Sequence, residues 1–283
     1  MQQFFLSDER DEGEPLPPGA GRGRQVRVVA EIGARFARGG RIPPPSGGYR
    51  VDTVCLTPPP PTGAGEVEER FFAFFREARE VFDGAELILS PPEVAPVRAD
   101  FSRRGVRGLL RERDLFEAFF RAAYRTSALA RASLLLPFVN DPGEANAIRQ
   151  CAEKALRTLL YHREPFDETI PIGIRVETPA AVLCGRRLLE DWDFAVADTD
   201  SLAAFALALP EGERPSRCGR DILFRYVEDF SETAHVCGRF CGIAGFLAAD
   251  TVALSRLLSF GADALFLPPE KLPAVCGALA KCR

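Results

Sequence analysis

Three carboxylates near the middle of the chain stand where chemistry is easiest to build. Residues 170–200 read IPIGIRVETPAAVLCGRRLLEDWDFAVADTD: a hydrophobic strand ending at Glu177, a helix entered through Thr178-Pro179, and a second strand closing on Asp198 and Asp200. Carboxylate oxygens are hard donors, so Glu177 together with Asp198 or Asp200 could hold Mg²⁺. Asp198 and Asp200 are two apart and share one face if the strand persists through both. The plainer use of each is capping: Glu177 for the helix begun at Pro179, and Asp200 for the one begun at Ser201-Leu202.

Cations for an anionic ligand come from two places. Arg107, in the run Arg103-Arg104-Gly105-Val106-Arg107, and Arg50, after Gly47-Gly48-Tyr49, could each fork onto a phosphate or carboxylate, because the planar guanidinium presents paired donors. An exposed basic loop is the alternative for Arg107. Cys241 lies close to a strand end, where a tuned thiol could donate a proton or act as nucleophile, although most reduced cysteines are small buried hydrophobes. The eight cysteines form no CxxC pair and there are two histidines, so neither a disulfide framework nor a zinc site is expected.

These groups can meet only if strands carry them to a common rim. Short runs rich in Val, Ile and Leu at 26–32, 49–56, 86–90, 133–139, 170–177, 194–198, 234–239 and 264–267 read as strands buried on both faces. Helical patterns lie between them, at 66–82, 114–129, 142–162, from Thr178-Pro179 onward, and at 201–209, 221–231 and 251–259. Asp141-Pro142-Gly143-Glu144 has the form of a capping box with proline at the first helical position. Eight strand–helix units count out to a (β/α)8 barrel, whose carboxyl-terminal rim is where such folds build their sites. An open doubly wound sheet is the other option, but no GxGxxG or GxxxxGK[ST] occurs. Residues 1–24 form a polar tail and 25–283 the barrel. Pro-rich stretches at 41–48, 57–65 and 90–102 are expected loops.

The chain has 283 residues, of which 46% are hydrophobic, enough for one large core. Its 22 Phe are concentrated in helical runs such as 71–75 and 116–120, where packing is the expected use. A net charge of −4 without an aromatic-interleaved basic groove argues against nucleic acid as a partner. No apolar run approaches a membrane span and the amino terminus is acidic, so no membrane association and a cytoplasmic location are expected.

The chain resembles the phosphoenolpyruvate (PEP)-binding barrel of the PEP-utilising enzymes, most of all that of the phosphoenolpyruvate-protein phosphotransferase (enzyme I) branch. The resemblance runs through IGIRVETPAA (172–181), LFEAFFRAAYRTSALARASLLLPFV (115–139), AEIG (30–33), CGIAG (241–245) and SFGADALFLPP (259–269). It implies a barrel that holds PEP through Mg²⁺ and arginines, a separate phosphohistidine protein as acceptor, and a homodimer. Carried over, Glu177 falls on the first metal carboxylate, Arg107 on a phosphate-binding arginine, Arg50 on the arginine after strand two, and Cys241 on the proton donor.

Against the family pattern, Gly-Thr-Asn-Asp-Leu is Asp198-Thr199-Asp200-Ser201-Leu202 here, which puts Ser201 on the second metal carboxylate and Asp200 on the ligand-contacting amide. Glu211 replaces an expected arginine, and Leu89-Ser90-Pro91-Pro92-Glu93 lacks an expected Arg and Lys. Losing converging cations weakens phosphate-ester chemistry, which rests on electrostatic placement. The expected ligand is a small anionic metabolite resembling PEP or pyruvate, with phosphoryl transfer to a separate carrier. The alternatives are an inactive relative serving as a binding, regulatory or dimerisation module, and a metal-dependent C–C lyase acting on a 2-oxo acid.

Overall fold

The computed structural model describes residues 26–32, 46, 48–53, 63–82, 84–92, 103–210 and 212–282. The expected tail at 1–24, most of the Pro-rich stretches, and Glu211 lie outside the described residues. Eight parallel strands close in chain order into a barrel: β1 (Arg27–Ile32), β2 (Tyr49–Asp52), β3 (Leu87–Ser90), β4 (Ala132–Leu136), β5 (Ile172–Val176), β6 (Phe194–Asp198), β7 (Phe240–Ala244) and β8 (Ala264–Leu267). Closure is made by β8 on β1, with Ala264 opposite Arg27 and Leu267 opposite Ala30. The fold is a (β/α)8 barrel.

Around the sheet run α1 (Ala64–Val81), α2 (Val106–Arg111), α3 (Arg113–Ser127), α4 (Pro142–His162), α5 (Pro179–Cys184), α6 (Arg186–Leu189), α7 (Thr199–Leu207), α8 (Arg217–Val236), α9 (Leu254–Ser259) and α10 (Leu272–Lys281). The Phe-rich runs pack α1 against α3. Phe71 and Phe75 meet Phe119 edge to face at 5.9 and 6.0 Å, and all three are fully buried. At the start of α4 the expected capping box is complete: Asp141 accepts from Gly143 N at 2.6 Å and Glu144 reaches back to the Asp141 N–H.

One strand lies elsewhere than expected. Residues 234–236 end α8, and β7 begins at Phe240. The apolar positions Leu223, Phe224, Val227, Phe230 and Ala234 keep helical spacing and are all buried, so the helix runs on until Gly238, in the left-handed region at φ 68°, turns the chain. The helix expected from 201 begins earlier, at Thr199, because Asp198 caps it.

Alternate strand residues divide into an outer set against the helices and an inner set that includes Val29, Ile88, Leu135, Phe194, Val196 and Phe266. Two glycines make room for the inner rings. A Cβ on Gly173 would stand 2.5 Å from the Phe194 ring, and one on Gly242 would stand 2.7 Å from Phe266. Gly173→Ala is expected to cost about 1–3 kcal/mol through overpacking. Urea denaturation should show a lower midpoint at unchanged slope, whereas a wild-type midpoint would mean that Phe194 can move aside.

Candidate functional site at the carboxyl-terminal rim

The site is built on two neighbouring strands. Arg175 on β5 and Glu177 just beyond its end are two apart and share a side of the extended chain. Asp198 ends β6, whose Val196 pairs with Arg175 and whose Ala197 pairs with Val176. Glu177 and Asp198 are only 5% and 2% exposed, a burial that carboxylates tolerate only with partners. All four of their oxygens have one.

Arg175 Nη2 forms an ion pair with Asp198 Oδ2. Asp198 Oδ1 caps α7, accepting from Asp200 N at 2.9 Å and Ser201 N at 3.3 Å. Glu177 Oε2 accepts from Phe138 N at 2.7 Å, and its Oε1 accepts from Ser201 Oγ at 3.2 Å. Phe138 donates from an unusual backbone, at φ 61°, a region that non-glycine residues rarely enter. Strain of that kind persists where surrounding contacts over-determine it. Gly245, at φ 82°, passes close beneath; a Cβ there would meet Thr199 Oγ1 at 2.7 Å and Asp198 Oδ1 at 3.0 Å.

Burial pushes the Glu177 carboxyl above its usual range, and the Asp198 charge adds to this; Arg175 and Arg104 pull the other way. Arg104 lies 4.7 Å from the centre of the Phe138 ring and 5.6 Å from that of Phe205, so a cation and two aromatic faces border the Glu177 side of the rim.

The sequence candidates distribute unevenly around this centre. Glu177 and Asp198 come together, joined by Ser201, the residue that falls on the family's second carboxylate. Asp200 does not continue the strand. It sits in the first turn of α7 with its side chain 62% exposed, near Arg214 Nη1 at 3.6 Å and accepting from Phe246 N at 3.3 Å. Capping of α5 falls to Thr178 rather than Glu177. Arg107 turns to the capping-box glutamate of α4, its Nε 2.6 Å from Glu144 Oε1. Arg50 is buried on β2, donating to Glu31 Oε1 at 2.6 Å and to Ser90 Oγ at 3.1 Å.

Cys241 belongs to the outer set of β7, with its thiol 3.3 Å from Ser231 Oγ on α8. That places it on the helical side of the sheet rather than the inner side. His235 ends α8 beside Asp263, at 3.3 Å.

Sequence reasoning passed over Arg175 and Arg104. A charged residue inside the apolar strand IGIRV was the available signal for the first, because a buried cation demands an anion nearby.

A resident Mg²⁺ would require free hard oxygens in near-octahedral array. Here each oxygen of Glu177 and Asp198 already accepts from the protein, and Arg175 supplies the compensating charge. Among the described residues no group of three or more His, Cys, Asp and Glu gathers. The residues present therefore do not fit a divalent cation in this arrangement.

A barrel with an acidic pair at its carboxyl-terminal rim defines the class of protein. The model of the PEP-utilising enzyme, PEP-binding domain, matches residues 92–283, and the chain belongs to that family. Curated relatives include the phosphoenolpyruvate-protein phosphotransferase of Buchnera aphidicola, 25% identical over an alignment of 183 residues, covering 61% of this chain and 31% of that protein. The multiphosphoryl transfer protein of Xanthomonas campestris is 31% identical over 177 residues, covering 61% and 20% respectively. The chain thus spans about a third or less of those relatives.

Among solved structures, an HpcH/HpaI aldolase/citrate lyase family protein from Burkholderia cenocepacia superposes with a TM-score of 0.55 at 14% identity, over 93% of this chain and 96% of that one. A citrate lyase from Burkholderia xenovorans gives 0.58 at 14% identity, over 90% and 77%. The domain is thus related to PEP-utilising proteins by sequence and shares its fold with the aldolase–citrate lyase proteins.

The expectation of an enzyme I-type barrel, with its phosphotransferase reading, is corrected by this likeness along nearly the whole chain to aldolase and citrate lyase barrels. The site gives a physical reason. Arg107 is engaged with Glu144, Ser201 donates to Glu177, and Cys241 faces the helices. Among the described residues no helix is long and apolar enough to cross a membrane.

Two outcomes test the site's electrostatics. Arg175→Met leaves Asp198 buried without its cation and is expected to cost about 3–5 kcal/mol, read by chemical denaturation. Because the folded-state affinity of Glu177 for its proton is raised, its contribution is fully present below the unfolded carboxylate range and is lost as pH rises through the higher folded value. Glu177→Gln, which mimics the neutral acid, should flatten that decline in a stability–pH series; an unchanged slope would place its origin elsewhere.

Proposed function

We propose that this barrel is a family member that has left phosphoryl transfer and binds a small carboxylate of the 2-oxo acid class without a resident metal, as a binding or regulatory module. The observation that carries the reading is Arg175 paired with Asp198 beside Glu177 at the carboxyl-terminal rim. Two guanidiniums, Arg175 and Arg104, act on this pair of carboxylates. When Glu177 keeps its proton, the charges of these four groups sum to one net positive. That balance suits a monoanion better than a phosphate ester, which carries more charge than the group can offset. The Phe138 and Phe205 rings beside Arg104 would cover the apolar part of such a ligand.

A second reading is carbon–carbon lyase activity on a 2-oxo acid. The fold likeness to aldolase and citrate lyase proteins over nearly the full chain favours it. Such a reaction needs a cation to hold the developing enolate oxygen. In this chain Arg175 and Arg104 are the groups available for that task, and Glu177 is the group able to hold a proton.

Calorimetric titration with pyruvate, with and without Mg²⁺, tests the first reading. Binding is expected to be independent of Mg²⁺ and to fall at least tenfold in Arg104→Gln. Binding that requires Mg²⁺, or that Arg104→Gln leaves unchanged, would overturn it. The second reading is tested by incubating the protein with 4-hydroxy-2-oxo acids and citrate and following release of pyruvate or oxaloacetate. Release lost in Glu177→Gln would make the barrel a lyase; no release would leave the binding module.

A further inference from the structure

The opposite end of the barrel contains a hollow that the carboxyl-terminal rim does not use. It has a volume of about 300 Å³ and is walled by Val29, Ile88, Phe194, Phe240, Ala264 and Phe266. Eight-stranded barrels ordinarily fill their interior with layers of side chains. Here Ala264 and Ser133 are short, so the lower layer stays incomplete between the Phe rings. The volume falls at the lower bound of small-molecule sites, which are largely apolar with a few placed polar groups.

One such group is present. Ser133 is 3% exposed and lines the hollow, and its hydroxyl makes no hydrogen bond among the described residues. A hydroxyl that faces a largely apolar hollow is a donor and acceptor that a ligand can satisfy. The charged rim asks for no ligand charge. Arg27 lies 5.5 Å from the Phe240 ring centre and 3.9 Å from Glu86, and Asp193 accepts from Ile172 N at 2.8 Å. Three aromatic rings offer edges and faces to a flat guest.

We propose that the amino-terminal end of the barrel is a second binding site, for a compact neutral aromatic molecule with one hydrogen-bonding group that pairs with Ser133. The site lies at the strand starts, whereas Glu177 and Asp198 lie at strand ends. Occupancy there is separate from whatever the rim binds.

Phenol and toluene serve as a matched pair of probes, differing by the hydroxyl. Their affinities for the full chain are read by ligand-observed NMR and calorimetry. Phenol is expected to bind about five- to tenfold more tightly than toluene, the worth of one hydrogen bond, and Ser133→Ala should erase the difference. Ala264→Leu, which fills the hollow, should abolish binding of both. If that variant fails to fold, Ser133→Ala decides alone. Failure of both probes to bind the wild type, equal affinity for the two, or phenol binding that Ser133→Ala leaves unchanged would overturn the proposal. Pyruvate binding at the rim, measured in the same samples, reports separately on the carboxylate reading.

Discussion

A guanidinium enclosed with two carboxylates governs how this barrel's rim is put together. Removing ions from water costs several kcal/mol each even after relaxation, and the loss is recovered only with close geometry and further hydrogen bonds. Arg175, Asp198 and Glu177 meet those terms together: the first two pair directly, and each carboxylate oxygen accepts from a backbone or side-chain donor. The arrangement reaches outward from there. Asp198 can pair with β5 and still cap α7 only because helix and strand join without a loop at Thr199. Gly245 lets the chain after β7 pass against that cap. Phe138 accepts a left-handed backbone so that its N–H can face Glu177.

Much of the architecture was legible because strands buried on both faces leave continuous apolar runs, and eight of these alternate with helical patterns. The exception, residues 234–239, shows where that signal is ambiguous: AHVCGRF joins the apolar end of α8 to the first residue of β7. Periodicity over so few residues cannot separate the two. The six-residue displacement also decided the reading of Cys241. In the observed strand, Phe240 and Gly242 lie on the inner side, and Cys241 between them must face the helices.

The acidic pair was half legible for a related reason. Glu177 is recognisable as a strand-end carboxylate. Placing Asp200 beside Asp198 assumed two-residue periodicity beyond the strand's end, but once a helix begins at Thr199 the chain turns about 100° per residue and carries Asp200 into solvent. The partners of the buried carboxylates were harder to see. Arg107 and Arg104 stand three apart, and only the turn at Gly105, which lets Val106 N donate to the Pro137 carbonyl at 3.2 Å, determines which of them lies by Phe138. Long-range docking of that kind leaves no local trace.

Family membership and chemistry separate at this point. A parallel barrel supplies a rim where strand-end side chains converge, and the fold is indifferent to whether a metal ion or a guanidinium balances them. The two solutions differ in what they can do. A divalent ion with open positions polarises a bound oxygen and exchanges ligands, whereas a guanidinium is a fixed set of donors that cannot be deprotonated. Arg175 is anchored by its own strand, half-buried at the rim, and matched to Asp198. Its exchange for an ion would require the side chain to leave the barrel and Asp198 to keep its capping bonds with fewer free oxygens. A guanidinium carried on β5 therefore gives the rim fixed donors beside its carboxylates, with no change in the fold that presents them.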